Sequence, residues 1–459
     1  MQAARLMPLY RRLPAGLRSV VASLRGMQLR ARRYGRETEA LAAAALERDH
    51  WDSGQWHRWQ QQQLTALLDR AATKVPFYRN LWANRQSDRA SLRDWPVLSK
   101  QSVRADSRAF VADDADRSRL SLENTSGTSG TPIQLWQNRE DVRAWYALME
   151  ARWRMWNGVS RTDPWAILGG QLITPVHQTK PPYWIWNYGL NQLYLSSYHI
   201  SAETCAGYLE AIRRRRAVYL WGYASSLYSL AVFARDKKLT PPPLKAIISN
   251  AEPLLQHQRE MIAEVFGCPV KDTYGMSEML CAASECEAGS MHLWPETGVH
   301  EVLEDETDEP VPLGRAGRLV CTGFLNQDMP LVRYDTGDRV IIAPPDQSCA
   351  CGRRLPLLLS VEGRCDDVLW TTDDRRIGRM DTVFKSDLPI VEAQIIQETL
   401  STVRVLVVPG NGYESSHEAG LQKSVKERLG EVEVIVEQVK EIPRTANGKF
   451  RAVISKIVR

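Results

Sequence analysis

Residues 218–273 read VYLWGYASSLYSLAVFARDKKLTPPPLKAIISNAEPLLQHQREMIAEVFGCPVKDT, and their alternation decides the fold. Val218–Trp221 is a short apolar run with strand character, and Ala224–Lys237 carries apolar residues at helical spacing. Leu244–Ile248 then reads as a strand, His257–Phe266 as a helix and Val270–Thr273 as a further strand. Strands alternating with helices of about ten residues or more imply largely parallel sheets covered on both faces.

Working outward, Ala166–Leu168 is expected as a strand and Ala202–Arg215 as a helix. Further upstream, a strand at Ile133–Gln137 leads into a helix over Arg139–Trp156. Residues 37–75 lack proline and place Trp56, Trp59, Leu64, Leu67 and Leu68 at helical spacing, until Pro76-Phe77-Tyr78 breaks the pattern. After residue 290 the texture changes to short β-rich segments (Gly298–Leu303, Gly317–Thr322, Arg339–Ala343) with Gly, Pro and Asp turns. From about 366 a further unit holds strands at Val403–Val408 and Val432–Val436 around a helix at Leu421–Leu429. The expected fold class is α/β. A large domain over 37–365, of mostly parallel sheets flanked by helices, includes a β-rich part at 290–350. A small, mobile α+β domain at 366–459 follows it.

At 459 residues the chain exceeds one ordinary core, and 44% apolar with 25% charged residues is a globular composition. The net charge of +5 is unevenly placed, because residues 1–36 hold nine arginines and no acid. The remainder is near neutral, which argues against a nucleic-acid binder with a broad basic face. No apolar run approaches the ~20 residues that span a bilayer. The run Leu17–Leu24 is interrupted by Arg18, so it does not read as a secretory signal. With Leu13, Leu17, Val20, Val21, Leu24, Met27 and Leu29, the arginines of segment 1–36 form a basic amphipathic helix. Such a helix either packs on the domain or rests on an anionic membrane face. Eight cysteines without a signal do not read as a disulfide framework, so a cytoplasmic location is expected, at the inner membrane face if the leader binds lipid.

The chemistry is carried by short motifs. Thr125-Ser126-Gly127-Thr128-Ser129-Gly130-Thr131-Pro132 can turn backbone N–H groups and hydroxyls toward phosphate oxygens. It lacks the Gly-Lys-Ser/Thr ending of a Walker loop. Thr273-Tyr274-Gly275-Met276-Ser277-Glu278 combines an aromatic able to stack on a base with a carboxylate able to reach a metal ion. Arg333-Tyr334-Asp335-Thr336-Gly337-Asp338 sets two acids beside a turn, where one could accept both hydroxyls of a ribose. Glu362-Gly363-Arg364-Cys365-Asp366-Asp367 stands at the entry to the last domain, and Asn447-Gly448-Lys449 puts a lone lysine near the end of the chain. Each is weak alone, whereas their order together is specific.

From about residue 50 to the end, the chain resembles the adenylate-forming enzymes of the acyl-CoA synthetase superfamily. Within it, the chain resembles the phenylacetate–CoA ligase-like branch and the CapK-type proteins of surface-polysaccharide clusters. The resemblance implies that Thr125, Ser126, Gly127, Thr128, Ser129, Gly130 and Thr131 form the phosphate loop and that Tyr274 packs on adenine. It implies that Glu278 binds Mg²⁺ with ATP and that Ala251-Glu252-Pro253 is the adenine-side turn. Asp338 would hold the ribose with Arg364 nearby, Asp366 would be the hinge, and Lys449 would be the adenylation lysine. Many relatives have lysine where this chain has Thr131, so pyrophosphate lacks that charge here. The implied activity is ATP-dependent activation of a small carboxylate through acyl-AMP, with transfer to coenzyme A. Transfer to an amine or a carrier-protein thiol, or a weakly active membrane-associated assembly protein, are the alternatives.

Cys286 and His292, with the turn Cys349-Ala350-Cys351, supply three thiols and one imidazole, a donor set for structural Zn²⁺, with Cys281 as an alternative to Cys286. Tyr183, Trp184, Trp186 and Tyr188 form an aromatic cluster that reads either as packing or as the wall of an acyl pocket. Trp221-Gly222-Tyr223-Ala224 stands at a strand end, where open α/β sheets place ligands. His177, His199 and His257 lack spacing partners and read as surface or packing residues.

Overall fold

The computed structural model describes residues 9–10, 12–83, 88–124, 133–171, 173–175, 178–364, 369–372, 376–377, 380, 383, 388–444 and 450–457. The loop 125–132, His177, Cys365, Asp366 and Lys449 lie outside the described residues.

Helices open the chain: α1 (Ala15–Arg33), α2 (Thr38–Arg48), α3 (Ser53–Lys74), α4 (Pro76–Trp82) and α5 (Lys100–Ala105). The continuous helical stretch expected over 37–75 is two helices. Asp52 accepts the Gln55 N–H at 2.8 Å while the Gln55 side chain accepts the Asp52 N–H at 2.9 Å, a capping box that starts α3 afresh. Strands β1 (Ser121–Asn124) and β2 (Gln134–Gln137) pair antiparallel on either side of residues 125–132. Next, α6 (Arg139–Met149) is capped by Asn138 and passes into a wide π turn at Glu150–Arg154. That turn carries Glu150, Arg152 and Arg154 inward, where all three are buried.

The central sheet follows: β3 (Trp165–Gly169), β4 (Trp184–Asn187), β5 (Gln192–Ser196), β6 (Tyr219–Gly222), β7 (Ala246–Ser249) and β8 (Val270–Lys271). In space the order is β4-β5-β3-β6-β7-β8, all parallel except the edge strand β4. Side chains alternate across it, as the two-residue period of a strand requires. Ala166, Leu168, Leu220 and Ile247 pack under α7 (Cys205–Arg214), α8 (Ala224–Asp236) and α9 (Gln256–Phe266). Trp165, Tyr219, Trp221 and Ile248 face the other way, onto residues of α2 and α6 such as Ala42, Ala45, Trp145 and Leu148.

A three-stranded sheet of β9 (Thr273–Gly275), β10 (Ala282–Glu285) and β11 (Met291–Leu293) leads to an antiparallel meander. Its strands are β12 (Gly298–Leu303), β13 (Ala316–Gly323), β14 (Tyr334–Ile342) and β15 (Leu358–Arg364). After the short pair β16 (Leu369–Trp370) and β17 (Arg376–Ile377), a last sheet holds β18 (Ile390–Gln397), β19 (Thr402–Pro409), β20 (Glu433–Gln438) and β21 (Val453–Ser455). Their spatial order is β20-β19-β18-β21, with α10 (Ser415–Leu429) laying Leu421, Val425 and Leu429 on Ile395, Val403 and Val405.

Candidate active site and cysteine clusters

The candidate site lies where the central sheet gives way to the meander. Thr273 donates its hydroxyl to the Ser249 carbonyl at 2.7 Å, which ties β9 to the end of β7. The next residue, Tyr274, donates to Asp338 Oδ2 at 2.6 Å. Burial, then the neighbouring Asp338 charge, holds the Tyr274 pKa well above the ordinary phenol value, so the hydroxyl remains a donor. Asp338 follows Gly337, whose φ of +71° suits a residue without Cβ, and the Asp338 N–H reaches Thr336 Oγ1 at 3.1 Å. Lys100 binds the Thr336 carbonyl from outside the turn. Arg364 stands opposite Asp338 in the β14–β15 register.

Glu278 is fixed by a second tyrosine. The buried Tyr334 donates to Glu278 Oε1 at 3.1 Å, and burial followed by the Glu278 charge keeps that phenol protonated. Gln137 donates to the Ser277 carbonyl at 3.3 Å, binding the Met276–Glu278 turn to the end of β2. Gly275 lets the strand pass close to Trp153, where a Cβ would lie 3.2 Å from the ring, tighter than ordinary contact. The structure therefore brings Tyr274, Glu278 and Asp338 to one seam.

The turn Ala251-Glu252-Pro253 follows β7, with Ala251 in the left-handed region at φ +64°. Its carboxylate does not face outward. Glu252 Oε2 accepts the Ser225 N–H at the start of α8 at 3.0 Å, and Oε1 accepts the Phe450 N–H at 2.7 Å. Beside it, at the carboxyl ends of β3 and β6, Tyr198 donates to the Gly170 carbonyl at 3.0 Å, and burial with the Glu252 charge pushes the Tyr223 pKa up to about 12. The aromatic cluster is largely packing: Tyr183 stacks on His199 at 4.7 Å and Trp184 meets Tyr208 edge-on at 5.7 Å. Trp186 is buried and lies under Arg215, while Tyr188 is exposed. His199 bonds to Ser196, and His257 packs edge-on against Tyr228.

Cys286 and Cys349 approach to 3.6 Å, and Cys351 lies 3.4 Å from His292 Nε2. All four ligand atoms fall within 4.8 Å of one another. Ligand atoms around a tetrahedral zinc with Zn–S near 2.3 Å are separated by about 3.8 Å, so the group matches closely. The Leu355 carbonyl, 3.3 Å from Nδ1, takes the ring proton and leaves the Nε2 lone pair toward Cys351. Cys281 does not substitute for Cys286. It joins His300 and Cys321 in a separate group, which residue spacing concealed because the contact is made across strands. Sequence reasoning also missed Tyr334 as the holder of Glu278 and the bond from Phe450 to Glu252.

Residues 369–456 match the family described as the CapK C-terminal domain. The chain is 25% identical to Protein CapK of Staphylococcus aureus over 383 residues, 80% of this chain and 81% of that one. It is 26% identical to a phenylacetate-coenzyme A ligase of Thermus thermophilus over 328 residues, 68% of this chain and 70% of that one. Among solved structures, 2-hydroxyisobutyryl-CoA ligase in its postadenylation state superposes with a TM-score of 0.67 at 22% identity, covering 89% of this chain and 91% of that one. The chain is thus similar in sequence to CapK and to phenylacetate-coenzyme A ligases, its residues 369–456 match the CapK C-terminal domain, and its fold is that of an acyl-CoA ligase.

Proposed function

We propose that the protein is an ATP-dependent acid–thiol ligase that activates a small carboxylate as its adenylate and passes the acyl group to coenzyme A. One observation carries this reading: Asp338 and Glu278, from distant segments, are held at a single seam by Tyr274 and Tyr334. Tyr274 then offers a ring face for adenine between Ala251-Glu252-Pro253 and Asp338, which accepts the ribose hydroxyls beside Arg364. Glu278, steadied at one oxygen, is the hard donor that Mg²⁺ prefers. Mg²⁺, when bound, supplies charge neutralisation on the phosphates. Residues 125–131 donate to the phosphates, and Lys449 donates to the α-phosphate oxygens as the substrate carboxylate attacks and pyrophosphate leaves. In the second step the thiol attacks the acyl carbonyl and AMP leaves, after the last domain turns at Asp366. Cys286, His292, Cys349 and Cys351 hold structural Zn²⁺ that fastens the meander to β11. The resemblance to CapK-type proteins supports a role in capsular or exopolysaccharide biosynthesis.

ATP–pyrophosphate exchange across aryl, fatty, hydroxy and amino acids tests the reading. Exchange with one acid class is expected, falling ~100–1000-fold in Lys449→Ala. AMP release that depends on coenzyme A then assigns the acceptor. Silence across the panel with folded protein overturns the proposal.

The N-terminal helix supports a site of action at a membrane surface. None of the described helices is long and apolar enough to cross a membrane. Yet α1 buries its polar side, Arg18, Ser23 and Gly26, and exposes Leu17, Val20, Val21, Leu24 and Met27 by 52, 55, 43, 59 and 55%. Next to this stripe, a groove of about 430 Å³ is lined by Met27, Arg30, Tyr34, Arg161 and Tyr188. An apolar stripe flanked by arginines fits an anionic lipid face.

A further inference from the structure

His300, Cys321 and Tyr334 stand opposite one another on β12, β13 and β14. Directly opposed residues of antiparallel strands share a face, so the three form a row. The turn from Met276 to Cys281 falls across this row. Glu278 meets its Tyr334 end at 3.1 Å, and Cys281 meets the end made by His300 and Cys321. The two sulfurs and one ring nitrogen lie within 4.8 Å of one another, and both cysteines are fully buried.

The imidazole tautomer is set by its surroundings. Thr297 donates its hydroxyl to the Trp294 carbonyl at 2.8 Å, so toward His300 it can only accept. The Leu280 carbonyl is a second acceptor, and both oxygens lie 3.2 Å from His300 Nε2. Nε2 therefore carries a proton, and Nδ1 is the nitrogen left to offer a lone pair to a metal. A backbone carbonyl holding one ring N–H is how a ligating histidine is usually oriented. Two thiols with one imidazole select zinc or copper(I) over Mg²⁺ or Ca²⁺. The group shares no residue with the cluster at Cys286, His292, Cys349 and Cys351.

We propose that Cys281, His300 and Cys321 form a second metal site, for Zn²⁺, which staples the Glu278-bearing turn to the meander. Binding displaces two thiol protons and leaves a fourth coordination position that these residues do not fill. The site fixes the far end of the turn whose near end Tyr334 holds, so it stiffens Glu278 without touching it. The test does not depend on the ligase reading. Metal content of the purified full-length protein is measured by mass spectrometry, and the metal-stripped chain is titrated with Co²⁺ through its thiolate-to-cobalt absorption. Two equivalents per chain are expected, one lost in Cys321→Ser and in His300→Gln, the other lost in Cys349→Ser. An end point of one or none, or two that survive both Cys321→Ser and His300→Gln, overturns the proposal. If those variants do not fold, the wild-type cobalt end point decides: two equivalents support the site and fewer refute it.

Discussion

Asp141 occupies the first turn of α6, just beyond the expected phosphate loop, and its Oδ2 is buried with no hydrogen-bond partner among the described residues. Burial, then the charges of Asp328 and Glu140, pushes its pKa up to about 7. The folded state thus binds this proton more tightly than the unfolded chain, where aspartate titrates near 3.9. The associated stability is complete below about pH 4 and is lost as pH rises through about 7. Asp141→Asn should abolish that loss, leaving the variant up to roughly 3–4 kcal/mol more stable than wild type above pH 8 and little changed at pH 4. Denaturant unfolding of both proteins across this range checks it, and a difference that does not grow with pH refutes it. Tyr334 invites a different substitution. Tyr334→Phe keeps the ring in the core but frees Glu278, and a hydrogen bond to a charged group is worth about 1.5–3 kcal/mol. Pyrophosphate exchange should therefore fall ~10-fold or more and need more Mg²⁺, while the melting temperature moves little. Unchanged Mg²⁺ dependence would count against the role assigned to Glu278.

Between elements, the π turn after α6 places Arg152 where no exposed arginine could act. Fully buried, it donates to Asp49 at 2.8 Å and to both oxygens of Glu296 at 2.7 and 2.8 Å. It thereby joins the end of α2 to the entry of the meander. Arg152→Met should destabilise by up to about 3–5 kcal/mol, because Asp49 and Glu296 lose the one fully buried arginine they share and keep only Arg353 and Arg48 at their outer sides; calorimetric unfolding checks it. The alternation of β6, α8, β7, α9 and β8 was legible in sequence because each element keeps its own period over enough residues. The edge strand β4 and its neighbour β5 were not, since Trp184 and Trp186 of β4 suit a pocket wall as well as a half-buried strand. The break between α2 and α3 was missed because a capping box outweighs helical composition locally. For α1 the sequence showed an amphipathic helix and left its orientation open. The polar side turns inward because Ser19 and Ser23 accept the Trp186 and Tyr188 N–H groups, at 3.3 and 3.0 Å, and so cover the open edge of β4. Removing the whole helix would uncover that edge. The cleaner test is Val20→Glu with Leu24→Glu, which should abolish co-sedimentation with anionic vesicles while leaving melting unchanged. Binding that persists in this variant refutes the membrane reading.

At the scale of the molecule, the last sheet meets the first domain, among the described residues, at three specific places. Val391 packs on the core beneath α8, Asn411 donates to Asp236 at 3.3 Å, and the Phe450 N–H reaches Glu252. Arg444, on the same tail, pairs with the partly buried Glu392. Glu252 is thus shared between two bodies: one oxygen caps α8 behind the strand ends, and the other holds the residue that follows Lys449. If the last domain turns between two half-reactions as proposed, it needs contacts of this kind, specific enough to set a position and weak enough to release. Glu252→Ala removes the charged acceptor for the tail and for α8 together. Its loss should slow pyrophosphate exchange ~10–100-fold, the rate equivalent of about 1.5–3 kcal/mol. Thioester formation from a supplied acyl-adenylate should be nearly unaffected, because that step does not need Lys449 in place. Glu252→Gln, which keeps one carbonyl acceptor, should fall between the two. Equal losses in both half-reactions would mean that Glu252 acts only on the fold of the first domain, and full exchange in Glu252→Ala would mean that the tail is positioned by other contacts.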